Sequence, residues 1–139
     1  MIRLQTEPID YVHLTELVRT PACGAVVLFL GTVRELTDGK VTTALEYEAY
    51  PGMAEKKLAE IEAETRRRWP VEELALVHRL GQLNLGEVSV AVALSCPHRQ
   101  QAFEACRWAM DRIKEIVPIW KKENRSDGAS EWVHPEMKS

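Results

Sequence analysis

The chain has 139 residues, with 18 Lys and Arg against 21 Asp and Glu for a formal charge of −3, and 45% of its residues are hydrophobic. A chain of this length buries roughly 68–70% of its unfolded surface, so one domain holds a core without disulfide or metal staples, and disorder is excluded. The mild acidity argues against a nucleic-acid binder.

The longest uncharged apolar stretch, residues 22–30, is nine residues long, against the ~20 that a membrane-crossing helix needs. Arg3, Glu7 and Asp10 interrupt any leader-like apolar segment, so a cytoplasmic location is expected. Cys23, Cys96 and Cys106 form an odd set with no Cys-x-x-Cys, the pattern of reduced thiols.

Residues 2–6 read as a strand and 9–19 as a helix with an apolar face of Ile9, Val12, Leu14 and Leu17. Residues 23–33 are apolar on both faces, which predicts a central strand. The turn Thr37-Asp38-Gly39-Lys40 leads back into a strand over 42–50. Pro51 suits the first turn of a helix, since its missing N–H would have had no partner there. Ala54, Leu58, Ile61 and Thr65 give that helix its apolar face, and Arg66, Arg67 and Arg68 complement the dipole at its end.

Strands over 74–80 and 87–95 are joined by Gly81-Gln82-Leu83-Asn84-Leu85-Gly86, which reads as a hairpin connection. That segment lacks the Lys-Ser/Thr and the following helix of a phosphate loop. Phe103, Cys106, Met110, Ile113 and Val117 step by 3 and 4, a continuous helical stripe between Pro97 and Pro118. Strands over 119–125 and 130–134 flank Asp127-Gly128. This order predicts an α+β fold: three helices and a mixed or antiparallel sheet in a single domain, residues 1–139.

Charge is unevenly placed. Between Arg112 and Arg125 there are five basic and two acidic residues, whereas acids dominate the middle of the chain. That pattern points to an anionic ligand or to two oppositely charged solvated faces. Pro97-His98-Arg99 opens a helix, where free backbone N–H groups, an imidazole and a guanidinium could converge on one anion. Exposed side chains with no ligand are the alternative. Lys114 stands at the edge of the apolar stripe, either partly desolvated and suited to acid–base work or simply solvated. Cys106 lies on the stripe as a packing thiol. His13, His78, His98 and His134 lack metal-ligand spacing, so no metal is expected.

Five blocks carry a more specific resemblance: Gly31-Thr32-Val33-Arg34, Glu48-Ala49-Tyr50-Pro51-Gly52-Met53, His78-Arg79-Leu80-Gly81, Pro97-His98-Arg99 with Ala102-Phe103-Glu104-Ala105, and Val117-Pro118-Ile119-Trp120-Lys121-Lys122-Glu123. In this order, across residues 23–133, they resemble the catalytic large subunits of molybdopterin synthases. The resemblance implies an α/β-hammerhead-like fold and a homodimer. Each protomer would bind a small ubiquitin-like sulfur-carrier subunit, making a heterotetramer. The implied enzyme is a sulfurtransferase of molybdenum cofactor biosynthesis, which moves sulfur from the carrier's C-terminal thiocarboxylate to cyclic pyranopterin monophosphate and needs no cofactor of its own.

By the same resemblance, Lys114 and Lys121 are catalytic. Thr32, Val33, Arg34, His98, Arg99, Lys122 and Glu123 bind substrate, and Phe29 and Met110 line a pocket. Members of that family often extend further past Trp-Val and can place a basic residue there that reaches the neighbouring site; here either Lys138 takes that place or the contact is absent. A non-catalytic dimeric scaffold that binds the carrier is the competing reading, but a scaffold has no need of this cationic set. A nucleic-acid module using Trp120, Lys121 and Lys122 is a weaker alternative, and neither nucleic acid nor a membrane is expected as a partner. Arg99 and Lys114 are 15 residues apart on one helix, or about 22 Å at a rise of 1.5 Å per residue. One small ligand cannot bridge that distance, so Arg99 of one subunit is expected to join Lys114 of the other.

Overall fold

A computed structural model describes residues 1–37, 39–125, 128 and 130–133; Asp38, Asp127, His134 and Lys138 lie outside that set. In chain order the elements are β1 (Ile2–Gln5), α1 (Tyr11–Val18), β2 (Ala25–Thr32), β3 (Leu36–Thr37), β4 (Lys40–Ala49), α2 (Pro51–Arg68), β5 (Glu73–Arg79), β6 (Gly81–Asn84), β7 (Val88–Cys96), α3 (Arg99–Ile116), β8 (Ile119–Arg125) and β9 (Ser130–Val133). This is the expected α+β class, but its strands form two sheets.

The first sheet has the order β1-β5-β7-β2, with β1 parallel to β5 and the remaining pairs antiparallel. Helices α2 and α3 pack on one face and α1 on the other. Strands β5 and β7 are therefore covered on both faces, and their interior residues are buried. The apolar run expected to be central is instead the edge strand β2, which leaves Val26 and Phe29 exposed. Two apolar faces report that helices cover both sides of a strand, and they say nothing about whether it has one neighbour or two.

In the second sheet β4 pairs with β8 along most of its length and with β3 and β6 on its other edge, while β9 adds to β8. Strand β6 corrects the hairpin reading of residues 81–86. β5 and β7 are antiparallel neighbours, yet the chain between them leaves their sheet and pairs with β4, placing Leu83 opposite Leu45. Gly81 and Gly86, at φ +90° and +81°, make the two turns, a region of backbone space that residues with a Cβ rarely adopt. A four-residue strand is too short for its period to be read.

Helix phases differ from the expected ones in two places. In α1 the buried side chains are Leu14 and Val18, with Val12 and Leu17 exposed. The spacing of 3, 2 and 3 among Ile9, Val12, Leu14 and Leu17 could not lie on one helical face. The α1 N-terminus is capped by Asp10, whose side chain accepts from His13 N at 3.0 Å. In α2 the face Ala54, Leu58, Ile61 and Thr65 is buried as expected. Of the three terminal arginines, Arg66 donates to Glu72 O at 2.9 Å, while Arg67 and Arg68 both hold Glu64. In α3 the buried face is Ala102, Ala105, Cys106, Ala109 and Ile113. Phe103, expected on the packed stripe, is 62% exposed. Three alanines, with Cys106 and Ile113, make the face that packs on the sheet, and Phe103 lies off it.

The two sheets meet where the ring of Tyr47 on β4 stands edge-on to buried His78 on β5, with centroids 5.0 Å apart. His78 Nδ1 lies 2.8 Å from Arg79 O. Burial holds its pKa down at about 4, against a weaker opposing effect of that carbonyl.

Two tests follow from this arrangement. Leu83→Ala removes a fully buried side chain and is expected to lower the unfolding free energy by about 2–5 kcal/mol, whereas exposed Leu85→Ala should change it by no more than about 0.5 kcal/mol; denaturant titration distinguishes the two. His78 is neutral in the folded chain and gains a proton near pH 6.5 when unfolded, so its contribution is complete above about pH 6.5 and is lost as pH falls toward 4. Unfolding free energy should therefore fall across that window by up to about 3 kcal/mol from this residue, and His78→Gln should flatten the slope.

Candidate functional site

A groove of about 430 Å3 lies between β2 and α3, lined by Val27, Phe29, Phe103, Met110, Arg107 and Lys114 among others. The alanine face of α3 sits on the sheet, while exposed Phe103 and Met110, which packs partly against the core, line the groove beside β2. Its lining is mainly apolar and closes on Lys114 in the last turn of α3. Thus Phe29, Met110 and Lys114, three of the residues singled out from the sequence, meet in one place. A larger cleft of about 560 Å3 between α2 and α3 is charged, but Arg68 pairs with Glu64 and lies over Trp108 at 4.6 Å, and Arg112 pairs with Glu115.

Thr32, Val33 and Arg34 leave the end of β2 after a register shift between Gly31 and Thr32. Val33 is buried and bonded on both sides, its N–H donating to Glu87 O at 3.0 Å and its carbonyl accepting from Gly86 N at 2.8 Å. That anchoring leaves Thr32 and Arg34 exposed at the sheet's rim. Gly31 has no room for a side chain, because a Cβ there would stand 2.6 Å from Val90 Cγ1.

Lys121 and Glu123 point to the inner face of β8, opposite Tyr47 and Leu45 of β4. The Glu123 carboxylate is fully buried, and Lys121 Nζ, half-buried, lies 3.3 Å from it. A buried carboxylate of this kind persists only with charge and hydrogen-bond partners, since a carboxylate alone in the interior costs several kcal/mol or more. Alternation along the strand turns Lys122 to the opposite face, where its Nζ lies 5.8 Å from the ring centroid of Trp132. The structure therefore separates Lys122 from Lys121 and Glu123.

His98 and Arg99 sit at the first turn of α3, both exposed, and the His98 side chain makes no capping bond. The antiparallel register puts Cys96 beside Ala25 and Val88 beside Thr32. Helix α3 starts at the Cys96 end of β7, so His98 and Arg99 lie at the opposite end of β2 from Arg34 and at the opposite end of α3 from Lys114. Arg99 and Lys114 bound most of an 18-residue helix, and their Cα atoms are about 22 Å apart by its rise.

Tyr47 and Ser89 are buried polar residues that the sequence did not single out. The only available signal was the alternation of Leu45, Tyr47 and Ala49 with charged neighbours. Burial pushes the thiols of Cys96 and Cys106 up to about 11, which leaves them protonated and unsuited to nucleophilic attack at neutral pH. Among the described residues no group of three or more His, Cys, Asp or Glu is placed to hold a metal ion, and no helix is long and apolar enough to cross a membrane.

The family model described as MoaE protein matches residues 4–116. Molybdopterin synthase catalytic subunits from Halalkalibacterium halodurans and Staphylococcus carnosus are 49% and 51% identical to this chain, over 98% and 92% of it and 86% and 85% of their own lengths. The crystal structure of molybdopterin synthase from Staphylococcus aureus superposes with a TM-score of 0.88 at 48% identity, covering 94% of each chain. A two-subunit molybdopterin-converting factor complex from Helicobacter pylori, at 19% identity and a TM-score of 0.77 over 99% of this chain and 92% of that one, shares the fold. With the family model spanning most of the chain and relatives about half identical along nearly all of it, this chain belongs to the MoaE family of molybdopterin synthase catalytic subunits.

Proposed function

We propose that this chain catalyses sulfur transfer from the C-terminal thiocarboxylate of a small ubiquitin-like carrier to cyclic pyranopterin monophosphate, in two rounds that open the cyclic phosphate and build the molybdopterin dithiolene. It acts in the cytoplasm, with two copies of the chain and two carriers forming a heterotetramer. The observation that carries this reading is the apolar groove ending at Lys114. An extended carrier tail lies along Phe29, Phe103 and Met110 and delivers its narrow Gly-Gly end to the lysine. The Helicobacter pylori protein of the same fold is itself a two-subunit complex.

Each cation has a place in the chemistry. An ammonium group beside the thiocarboxylate orients its carbonyl or protonates the oxygen that leaves the pterin phosphate, roles open to Lys114 and Lys121. Arg34, at the same end of the sheet, binds anionic substrate oxygens by charge-assisted hydrogen bonds. His98 and Arg99 are too distant to serve the same site. They complete the site of a second copy, where a guanidinium, an imidazole and the free N–H groups of a helix start hold the phosphate. Lys122, on the opposite face of β8, serves in this reading as an outer contact and not as a substrate ligand.

Mixing the protein with thiocarboxylated carrier and cyclic pyranopterin monophosphate should yield molybdopterin. Lys114→Ala should cut the rate about 100-fold or more, the loss expected on removing a positioned acid–base group. No product with a competent carrier, or full product from the folded variant, would contradict the assignment.

A further inference from the structure

Glu87 joins the two sheets to the backbone that carries Arg34. Its carboxylate Oε2 accepts from Arg79 Nη1 at 2.9 Å, and Oε1 accepts from the backbone N–H of Asn84 at 2.6 Å. Its own N–H donates to Asn84 O at 3.2 Å, which closes residues 84–87 into a turn with Gly86 at φ +81°. Asn84 ends β6 and stands opposite Ala44 on β4, so one side of the turn belongs to the second sheet. The other side grips Val33: Gly86 N donates to Val33 O at 2.8 Å, and Glu87 O accepts from Val33 N at 3.0 Å. Arg34 is the next residue, and it is exposed.

Arg79 ties this turn to the first sheet. It ends β5, its side chain is 13% exposed, and its Nε donates to Thr6 O at 3.0 Å, one residue past β1. A planar guanidinium held through both Nε and Nη1 keeps one orientation, and it holds the Glu87 carboxylate in turn. The Asn84 N–H, and after it Arg79, keep the Glu87 carboxyl below its usual pKa, so the pair is ionised at neutral pH. Arg79 belongs to the block His78-Arg79-Leu80-Gly81, which otherwise has no part in the proposed chemistry.

We propose that Arg79 and Glu87 are a positioning pair for Arg34: their ion pair sets the shape of the 84–87 turn, and the turn's two hydrogen bonds to Val33 set where the Arg34 guanidinium meets an anionic substrate. This rests on Arg34 binding substrate, as proposed above. Neither Arg79 nor Glu87 touches substrate. A turn with a glycine at positive φ has other shapes open to it, and the ion pair selects the one that grips Val33.

Glu87→Gln leaves one acceptor oxygen where there were two, so it cannot accept from Arg79 and Asn84 together. It is expected to raise the KM for cyclic pyranopterin monophosphate about tenfold, the worth of one charge-assisted hydrogen bond from Arg34. The KM for the carrier should change less than about twofold, because no residue of the turn lines the groove. Arg79→Met should act in the same direction. In an Arg34→Ala background neither change should raise the pterin KM further, since the guanidinium they place is gone. Without turnover, hydrogen exchange at the Val33 amide should quicken about tenfold or more in both variants, while core amides of β7 keep their rates. An unchanged pterin KM or unchanged Val33 exchange in the folded variants, or losses that add to that of Arg34→Ala, would overturn the proposal. If Glu87→Gln does not fold, Arg79→Met decides by the same KM and the same exchange rate. If the wild-type chain makes no product, the proposed activity fails, and Val33 exchange still decides whether the pair fixes the turn.

Discussion

Much of this molecule follows from how α3 lies on the first sheet. Ala102, Ala105 and Ala109 form its contact face and let the helix approach β2 and β7 closely. Phe103 stays exposed and Met110 packs only partly against the core, and both line the groove beside β2. The same helix is a rigid spacer. It holds His98 and Arg99 at one end of the sheet and Lys114 at the other, and no rearrangement short of breaking its backbone hydrogen bonds brings them together. A small phosphorylated substrate at Lys114 cannot also reach Arg99 of the same chain, which is why the proposed site takes His98 and Arg99 from a second copy.

The two sheets contribute differently. The first is a covered platform whose central strands are apolar on both faces, and it supplies rigidity and the Arg34 turn. The second carries Lys121 on a face where a carboxylate is fully buried. A buried ion pair is weak evidence for stability, since apolar residues of the same shape often do as well. Here the pair lies opposite Tyr47 and Leu45 of β4, and on the platform Ser89 donates to the Gly31 carbonyl just before the Arg34 turn. Gly31 admits no Cβ, and after the register shift that follows it Thr32 and Arg34 are exposed at the rim.

Local regularities in the sequence read through to the structure. The 4, 3, 4 spacing of α2, its proline start and its arginine end needed no tertiary information. The separation of Arg99 from Lys114 is likewise a count of residues on one helix. What failed depended on neighbours remote in sequence. The edge position of β2, the strand in residues 81–84 and the exposure of Phe103 are set by which element packs where, and helical or alternating periodicity does not encode that. The resemblance assigns Lys122 and Glu123 together as a contact segment, and the strand sends the two side chains to opposite faces of β8. Tyr47 and Ser89 lie on strands 42 residues apart in number, and each reads alone as an ordinary strand residue. Arg34, His98, Arg99 and Lys121 are singled out by the motif blocks, and Lys114 by its place at the edge of the helical stripe.

The central claim is that one site is built from two chains, and mixed dimers test it most directly. Lys114→Ala and Arg99→Ala chains, each inactive alone, would be unfolded and refolded together in equal amounts, then supplied with thiocarboxylated carrier and cyclic pyranopterin monophosphate. Half of the dimers formed are mixed and each holds one intact site, so about a quarter of the wild-type rate should return. If both variants are folded and form mixed dimers without any recovery of activity, the site does not combine Arg99 of one chain with Lys114 of the other.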